Sequence, residues 1–145
     1  MKIIADLQIH SRFSRATSTS LNLSNLEKYA KIKGLNLLGT GDFTHPKWLA
    51  ELKHELKEDG SGILTSNSGF HFVLQGEISN IYTQDGKGRR IHNLLLARNF
   101  EIVEQINAAL LKKGRLDYDG RPMFGFSCIE LVEMMKEIDE NIEII

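Results

Sequence analysis

Two observations predict an α/β fold with its chemistry on one rim. Short apolar runs alternate with segments of helical periodicity, and Asp, Glu or His stands at or near the end of one apolar run after another. That combination suggests an α/β barrel carrying a metal site on one rim, since side chains at strand ends converge there.

The elements follow in order. Residues 2–9 read as a first strand, in which alternate residues share a face, so Asp6, Gln8 and His10 would project together while Leu7 and Ile9 pack behind them. A polar, Ser/Thr-rich loop from Ser11 to Leu23 contains Arg12 and Arg15. Ser24-Asn25-Leu26-Glu27 has capping-box spacing and opens a helix to about Lys33, which Gly34 terminates. Leu35 to Thr40 is the second strand. Thr44 or His45 can cap a helix with Pro46 at its first position, running through Trp48, Leu49, Leu52 and Leu56 until Asp59-Gly60-Ser61-Gly62 breaks it.

Phe70, Phe72, Val73 and Leu74 lead into Glu77, and the sheet continues from Ile78 to Tyr82 before a turn at Asp85-Gly86-Lys87-Gly88. Its hairpin partner runs from Arg90 to Ala97. Asn99 starts a helix with Ile102, Ile106, Ala109 and Leu110 at helical spacing, closed by Gly114. Ser127 and Glu130 form a further capping box, and the helix after it shows Leu131, Met134, Met135 and Ile138 on one side, the Met pair as core filler. Asn141 to Ile145 reads as a last strand with no helix to cover it, which suggests a cut through a larger fold.

At 145 residues the chain suits one domain, residues 1–145. Lys and Arg total 18 against 19 for Asp and Glu, so no global charge favours nucleic acid, and any such binding must use a local patch. The single cysteine, Cys128, excludes an intrachain disulfide framework and a thiolate-rich zinc site; it fits a reducing cytosol and a role in core packing. No apolar stretch is long enough for a signal peptide or for the roughly 20 residues of a membrane span, so a soluble cytoplasmic protein with no membrane partner is expected.

Three segments join the first strand as carriers of chemistry: Gly39 to Pro46 with Asp42 and His45, Gln75 to Ser79 with Glu77, and Arg90 to Leu94 with His92. At this point the residues match a known family. Ala5-Asp6-Leu7-Gln8-Ile9-His10-Ser11 resembles the first motif of the PHP (polymerase and histidinol phosphatase) superfamily, normally D-x-H-x-H-S. Arg12-Phe13-Ser14-Arg15-Ala16-Thr17, Lys33-Gly34-Leu35, Gly39-Thr40-Gly41-Asp42 and His45-Pro46-Lys47-Trp48 resemble the endonuclease Q group within it, DNA repair enzymes acting at deaminated bases. The resemblance covers essentially the whole chain as the N-terminal part of a longer domain and is most specific over residues 5–52.

What the resemblance implies is a partial PHP-type (β/α) barrel, truncated at the C-terminus, and a metal-dependent phosphodiesterase. His10 matches the second histidine of the first motif, a metal ligand; Asp42 matches the acid of the second motif; Glu77 matches the glutamate that tends to bridge metals; His92 matches the histidine after it. Asp6, Asp42 and Glu77 would form the catalytic set. Imidazole and carboxylate suit Zn, Mn or Fe, and clustered metals lower the pKa of bound water so that hydroxide can attack a phosphodiester. Arg12, Arg15 and Lys47 could hold phosphate oxygens, the alternative being a solvated face.

Two departures stand out. Gln8 replaces a histidine, and an amide oxygen is a poorer ligand for a borderline metal. Phe43 follows Asp42 where many members have histidine, with His45 as either a substitute ligand or a helix cap. The family's later histidine and D-x-H ligands have no counterpart, so incomplete metal occupancy is expected. His54 and His71 read as structural.

The leading expectation is the N-terminal part of a DNA endonuclease cleaving beside a deaminated base. A phosphoesterase acting on a small monoester and a non-catalytic, metal-poor binding domain are the alternatives. No G-x-x-x-x-G-K-[ST] loop exists, so ATPase activity is not expected. Strand edges left open after Ile145 predict self-association, as a symmetric dimer burying Ile142, Ile144 and Ile145.

Overall fold

One strand of 14 residues, His71–Gln84, organises the computed structural model, which describes residues 2–145. The elements are β1 (Ala5–Asp6), α1 (Leu23–Ile32), β2 (Leu37–Gly39), α2 (Pro46–Glu55), β3 (Leu56–Glu58), β4 (Leu64–Ser66), β5 (His71–Gln84), β6 (Lys87–Ala97), α3 (Phe100–Leu111), β7 (Met123–Phe124), α4 (Cys128–Ile138) and β8 (Glu143–Ile144). They form an open eight-stranded sheet ordered β1-β2-β5-β4-β3, with β6 and β7 also on β5 and β8 on β6. The architecture is mixed α/β as expected, built on an open sheet; the partial (β/α) barrel of the sequence reading is not evident in it.

The start of β5, His71 to Val73, runs parallel to β2, with Leu38 opposite Phe72, and antiparallel to β4. From Leu74 onward it pairs with β6 in one continuous register, from Leu74 opposite Ala97 to Gln84 opposite Lys87. Asp85 and Gly86 both have positive φ, 53° and 71°, the type I′ geometry whose twist matches a two-residue hairpin. The core lies between the sheet and the helices, where Phe43, Trp48, Leu52, Phe72, Leu74, Ile78, Leu95, Ile106, Leu110, Leu131 and Met135 are fully buried. Met135 is core filler, as its helical spacing predicts; Cys128 is only partly buried at the start of α4 and lies outside the core.

Several local expectations need correction. The first strand shrinks to Ala5–Asp6, so residues 7–10 are not held in the alternation that would have aligned Asp6, Gln8 and His10. The cap of α1 is Asn22, whose side chain accepts from the Asn25 amide, not Ser24; starting two residues earlier buries Leu23 beside Leu26 and Ala30. Helix α2 stops at Glu55, and Leu56 enters a β3–β4 hairpin that the apolar spacing did not announce. The C-terminal strand pairs with β6, with Leu94 and Ile145 exchanging amide hydrogen bonds. That pairing turns Ile142 inward to 1% exposure while Ile145 remains 71% exposed, so the apolar surface expected to drive dimerisation is smaller than three isoleucines.

The two candidate caps of α1 are separable. Asn22→Ala should cost about 1 kcal/mol of unfolding free energy in urea melts, because an orphan amide loses its acceptor. Ser24→Ala, at an exposed helical position, should stay within about 0.5 kcal/mol.

Candidate active site

Asp42 is completely buried, and its conformation follows from the chain around it. Gly41 (φ 68°) and Asp42 (φ 48°) both adopt the left-handed region, and a Cβ at Gly41 would lie 2.9 Å from the Ile9 carbonyl oxygen. The backbone turn aims the carboxylate back at residues 10–14. Its Oδ2 accepts from the Ser11 amide (2.6 Å), the Ser11 hydroxyl (2.7 Å) and the Ser14 hydroxyl (3.0 Å), and its Oδ1 lies 2.8 Å from His10 Nδ1. Trp48 secures the same turn from α2 by donating its indole N–H to the Thr40 and Gly41 carbonyls.

With Nδ1 engaged by Asp42, His10 presents Nε2 to Glu77, 3.2 Å from Oε2. The alignment there is too poor for a hydrogen bond, so a carboxylate only 1% exposed keeps one oxygen without a partner. Its other oxygen, Oε1, lies 3.0 Å from His92 Nδ1 and 3.4 Å from Arg121 Nη1. Glu77 is reached from β5 because the preceding Gly76 leaves room for the buried Phe43 ring, 3.1 Å from where a Cβ would stand. Phe43 therefore serves the core.

His10, Asp42, Glu77 and His92 thus meet as the sequence reading requires. Asp6 and Gln8 do not join them: among the described residues neither makes a polar side-chain contact with the cluster, and Asp6 Oδ1 instead accepts from the Gln8 amide. His45 is the N-cap residue of α2, stacked on Phe13 at 4.4 Å, with a buried and unpartnered Nδ1 and no side-chain capping bond. Burial pushes its pKa below the ordinary histidine value against the opposing pull of nearby acids. Arg12 pairs with Glu51 and Arg15 with Asp119, while Lys47 is exposed. His54 and His71 are exposed and lie outside the cluster.

Sequence reasoning missed Ser14, Gly120 and Arg121. The loop before β7 closes over Asp42 so tightly that a Cβ at Gly120 would lie 2.3 Å from the Asp42 carboxyl carbon. It is pinned there by the Gly120 amide on the Phe13 carbonyl (3.0 Å) and by Thr44 Oγ1 donating to the Gly120 carbonyl (3.2 Å). The only local signal was an Asp-Gly-Arg turn, which says nothing about a partner 78 positions away in sequence.

The electrostatics follow from this geometry. Hydrogen bonding to Asp42, then the approach of Glu77, raises the His10 pKa to about 9 despite partial burial. Burial pushes Glu77 upward, but His10, Arg121 and His92 together hold it below its ordinary value. An imidazolium held between two carboxylates results. Because these side chains close on one another, no group of three or more His, Cys, Asp or Glu among the described residues stands ready-made around a metal. A groove of about 950 Å³ between α2 and α3 contains none of the four cluster residues.

No protein-family model matches the chain. It is 37% identical over 134 residues to an uncharacterized protein, MJ0043, of Methanocaldococcus jannaschii, an alignment covering 92% of this chain and 15% of that protein. Its fold matches the crystal structure of the lesion-specific endonuclease PfuEndoQ from Pyrococcus furiosus with a TM-score of 0.83 and 33% identity, over 97% of this chain and 33% of that one. An endonuclease Q complex with a 27-mer duplex substrate, carrying an abasic lesion at the active site, matches with a TM-score of 0.81 at the same identity and coverage. The chain therefore spans about a third of the solved structures it resembles and less of its curated relative. Among the described residues no helix is long and apolar enough to cross a membrane.

Two outcomes are expected. Gly120→Ala should destabilise the fold by about 1–3 kcal/mol through overpacking against Asp42, measured by urea unfolding. In chelator-treated protein, the raised His10 pKa contributes stability that is full below pH 6.5 and lost as pH rises through about 9. The depressed Glu77 pKa contributes stability present above pH 4.5 and lost as pH falls further. The unfolding midpoint should therefore decline between pH 6.5 and 9, and His10→Gln should flatten that decline.

Proposed function

We propose that this chain forms the catalytic part of a DNA endonuclease of the endonuclease Q kind, hydrolysing a phosphodiester beside a damaged, deaminated base. The observation that carries this reading is the convergence of His10, Asp42, Glu77 and His92 within a fold that matches those lesion-acting enzymes over 97% of the chain.

A divalent metal fits the donor set. Glu77 offers a buried oxygen with no hydrogen bond and stands between two imidazoles, and His10 shows the arrangement common among metal-holding histidines, one ring nitrogen bound to a carboxylate and the other turned toward Glu77, where it would coordinate on losing its proton. His10, Glu77 and His92 would hold the ion, with zinc, manganese or iron suited to these ligands. Bound there, the metal would supply Lewis acidity and a water of lowered pKa.

The chain's own residues do the rest. Asp42 fixes the His10 tautomer and ring plane, and Ser11 and Ser14 hold Asp42 so that it cannot swing away to bind the metal itself. Arg121, with its guanidinium beside Glu77 and His92, is placed to take a non-bridging phosphate oxygen and to offset charge that develops on it.

The experiment compares metal affinity and reactivity in one preparation. Calorimetry with Zn²⁺ or Mn²⁺ should show uptake by the wild type, and Asp42→Asn should weaken it about 10–100-fold. Metal-loaded protein should nick duplexes carrying deoxyinosine, deoxyuridine or an abasic site, and Glu77→Gln should abolish nicking. Turnover of p-nitrophenyl phosphate without nicking would favour a monoesterase. Absence of metal uptake would favour a non-catalytic binding domain and overturn the proposal.

A further inference from the structure

The β5–β6 hairpin outgrows the sheet that supports it. β7 leaves β5 at Asn80, and the C-terminal segment pairs with β6 only from Leu94 to Leu96, so the stretch from Ile81 to Gln84 and from Lys87 to Arg90 is paired with itself alone. At about 3.4 Å per residue, this free ribbon extends roughly 14 Å past the sheet. It carries Lys87, Arg89 and Arg90 against the single carboxylate of Asp85, a local cationic surface on a chain whose formal net charge is −1.

The register places this surface relative to the site. Residues directly opposite in an antiparallel pair share a face, so Glu77 with Leu94, Ser79 with His92 and Ile81 with Arg90 lie on one side. Arg90 is thus the next cation outward from His92 on the face that holds Glu77, about 7 Å along the strand. Ile81 beside it is 43% exposed, and Arg89, on the opposite face, has a buried Nε without a partner. A groove of about 570 Å³ runs along these residues from Ile81 to Thr83 and from Gly88 to Arg90.

We infer that this ribbon is a DNA-tracking arm, whose Arg90, supported by Arg89 and Lys87, binds the backbone of the strand that enters the His10–Glu77–His92 site. A two-stranded ribbon is one of the two elements that a major groove admits. Each strand of a duplex presents a phosphate about every 3.4 Å of axis, so the 7 Å offset places Arg90 about two nucleotides from the phosphodiester at the cluster. The inference rests on the proposed nuclease function, and it adds the surface that orients the duplex.

The test is fluorescence anisotropy of a labelled lesion duplex with the full chain across a salt series. Wild type should bind with a log–log salt slope, and Arg90→Gln and Arg89→Gln should each reduce its magnitude by about 0.9 for a lost phosphate contact, with Lys57→Gln on β3 leaving it unchanged. Circular dichroism checks that each variant is folded. If wild type shows no salt-dependent DNA binding, the nuclease reading fails and takes this inference with it. If wild type binds and the ribbon variants keep its slope, the arm alone is overturned. Variants that associate in size-exclusion chromatography with an unchanged slope would instead assign these cations to edge protection. Equal competition by inorganic polyphosphate would reduce the arm to a general anion surface and overturn the groove assignment.

Discussion

The hydrogen bonding of one buried carboxylate, Asp42, is the constraint on which the site depends. An ionised carboxylate with no exposure is costly unless its lone pairs are occupied, and here the Ser11 amide, two serine hydroxyls and His10 occupy them. Satisfying Asp42 therefore organises residues 10–14, a stretch with no regular secondary structure of its own. The left-handed pair Gly41–Asp42 aims the group, Trp48 locks the turn, and Gly120 seals it from the far side. Loss of any of these would leave a buried charge short of partners.

Glu77 is the complement of Asp42. One carboxylate is saturated by a backbone amide, two serine hydroxyls and the His10 ring and serves as an anchor; the other is surrounded by imidazoles and a guanidinium and retains an oxygen without a hydrogen bond. Two acids, one in the turn after β2 and one on the neighbouring β5, thus take different roles because their surroundings differ. The same β5 that carries Glu77 into the core continues past the sheet as the exposed ribbon, so core, cluster and ribbon share one strand.

Much of the fold was legible from local chemistry. Apolar spacing marked α3 and α4, the Ser127 and Asn99 caps stand where their side chains accept the expected amides, and Asp85-Gly86 specified the hairpin. Three of the short strands escaped: β3, β4 and β7 are too short for a period to emerge and exist only because neighbouring strands pair with them. In the site, His10, Asp42, Glu77 and His92 were visible because ionisable residues at the ends of apolar runs have few structural reasons to be there.

Sequence by itself determined the α/β class, the main helices and the long hairpin, because each is encoded by contacts or propensities close along the chain, and it marked the four residues that converge by their chemistry at the ends of apolar runs. Tertiary structure alone decided that the sheet stays open, that Asp6 and Gln8 stand apart from the cluster, that Asn22 caps α1, and that Gly120 and Arg121 complete the site. Those outcomes rest on close packing and hydrogen bonds between segments tens of residues apart. The Gly120 approach to Asp42 shows why: whether a side chain fits at one position depends on a carboxylate delivered by a different turn, and no local pattern carries that distance.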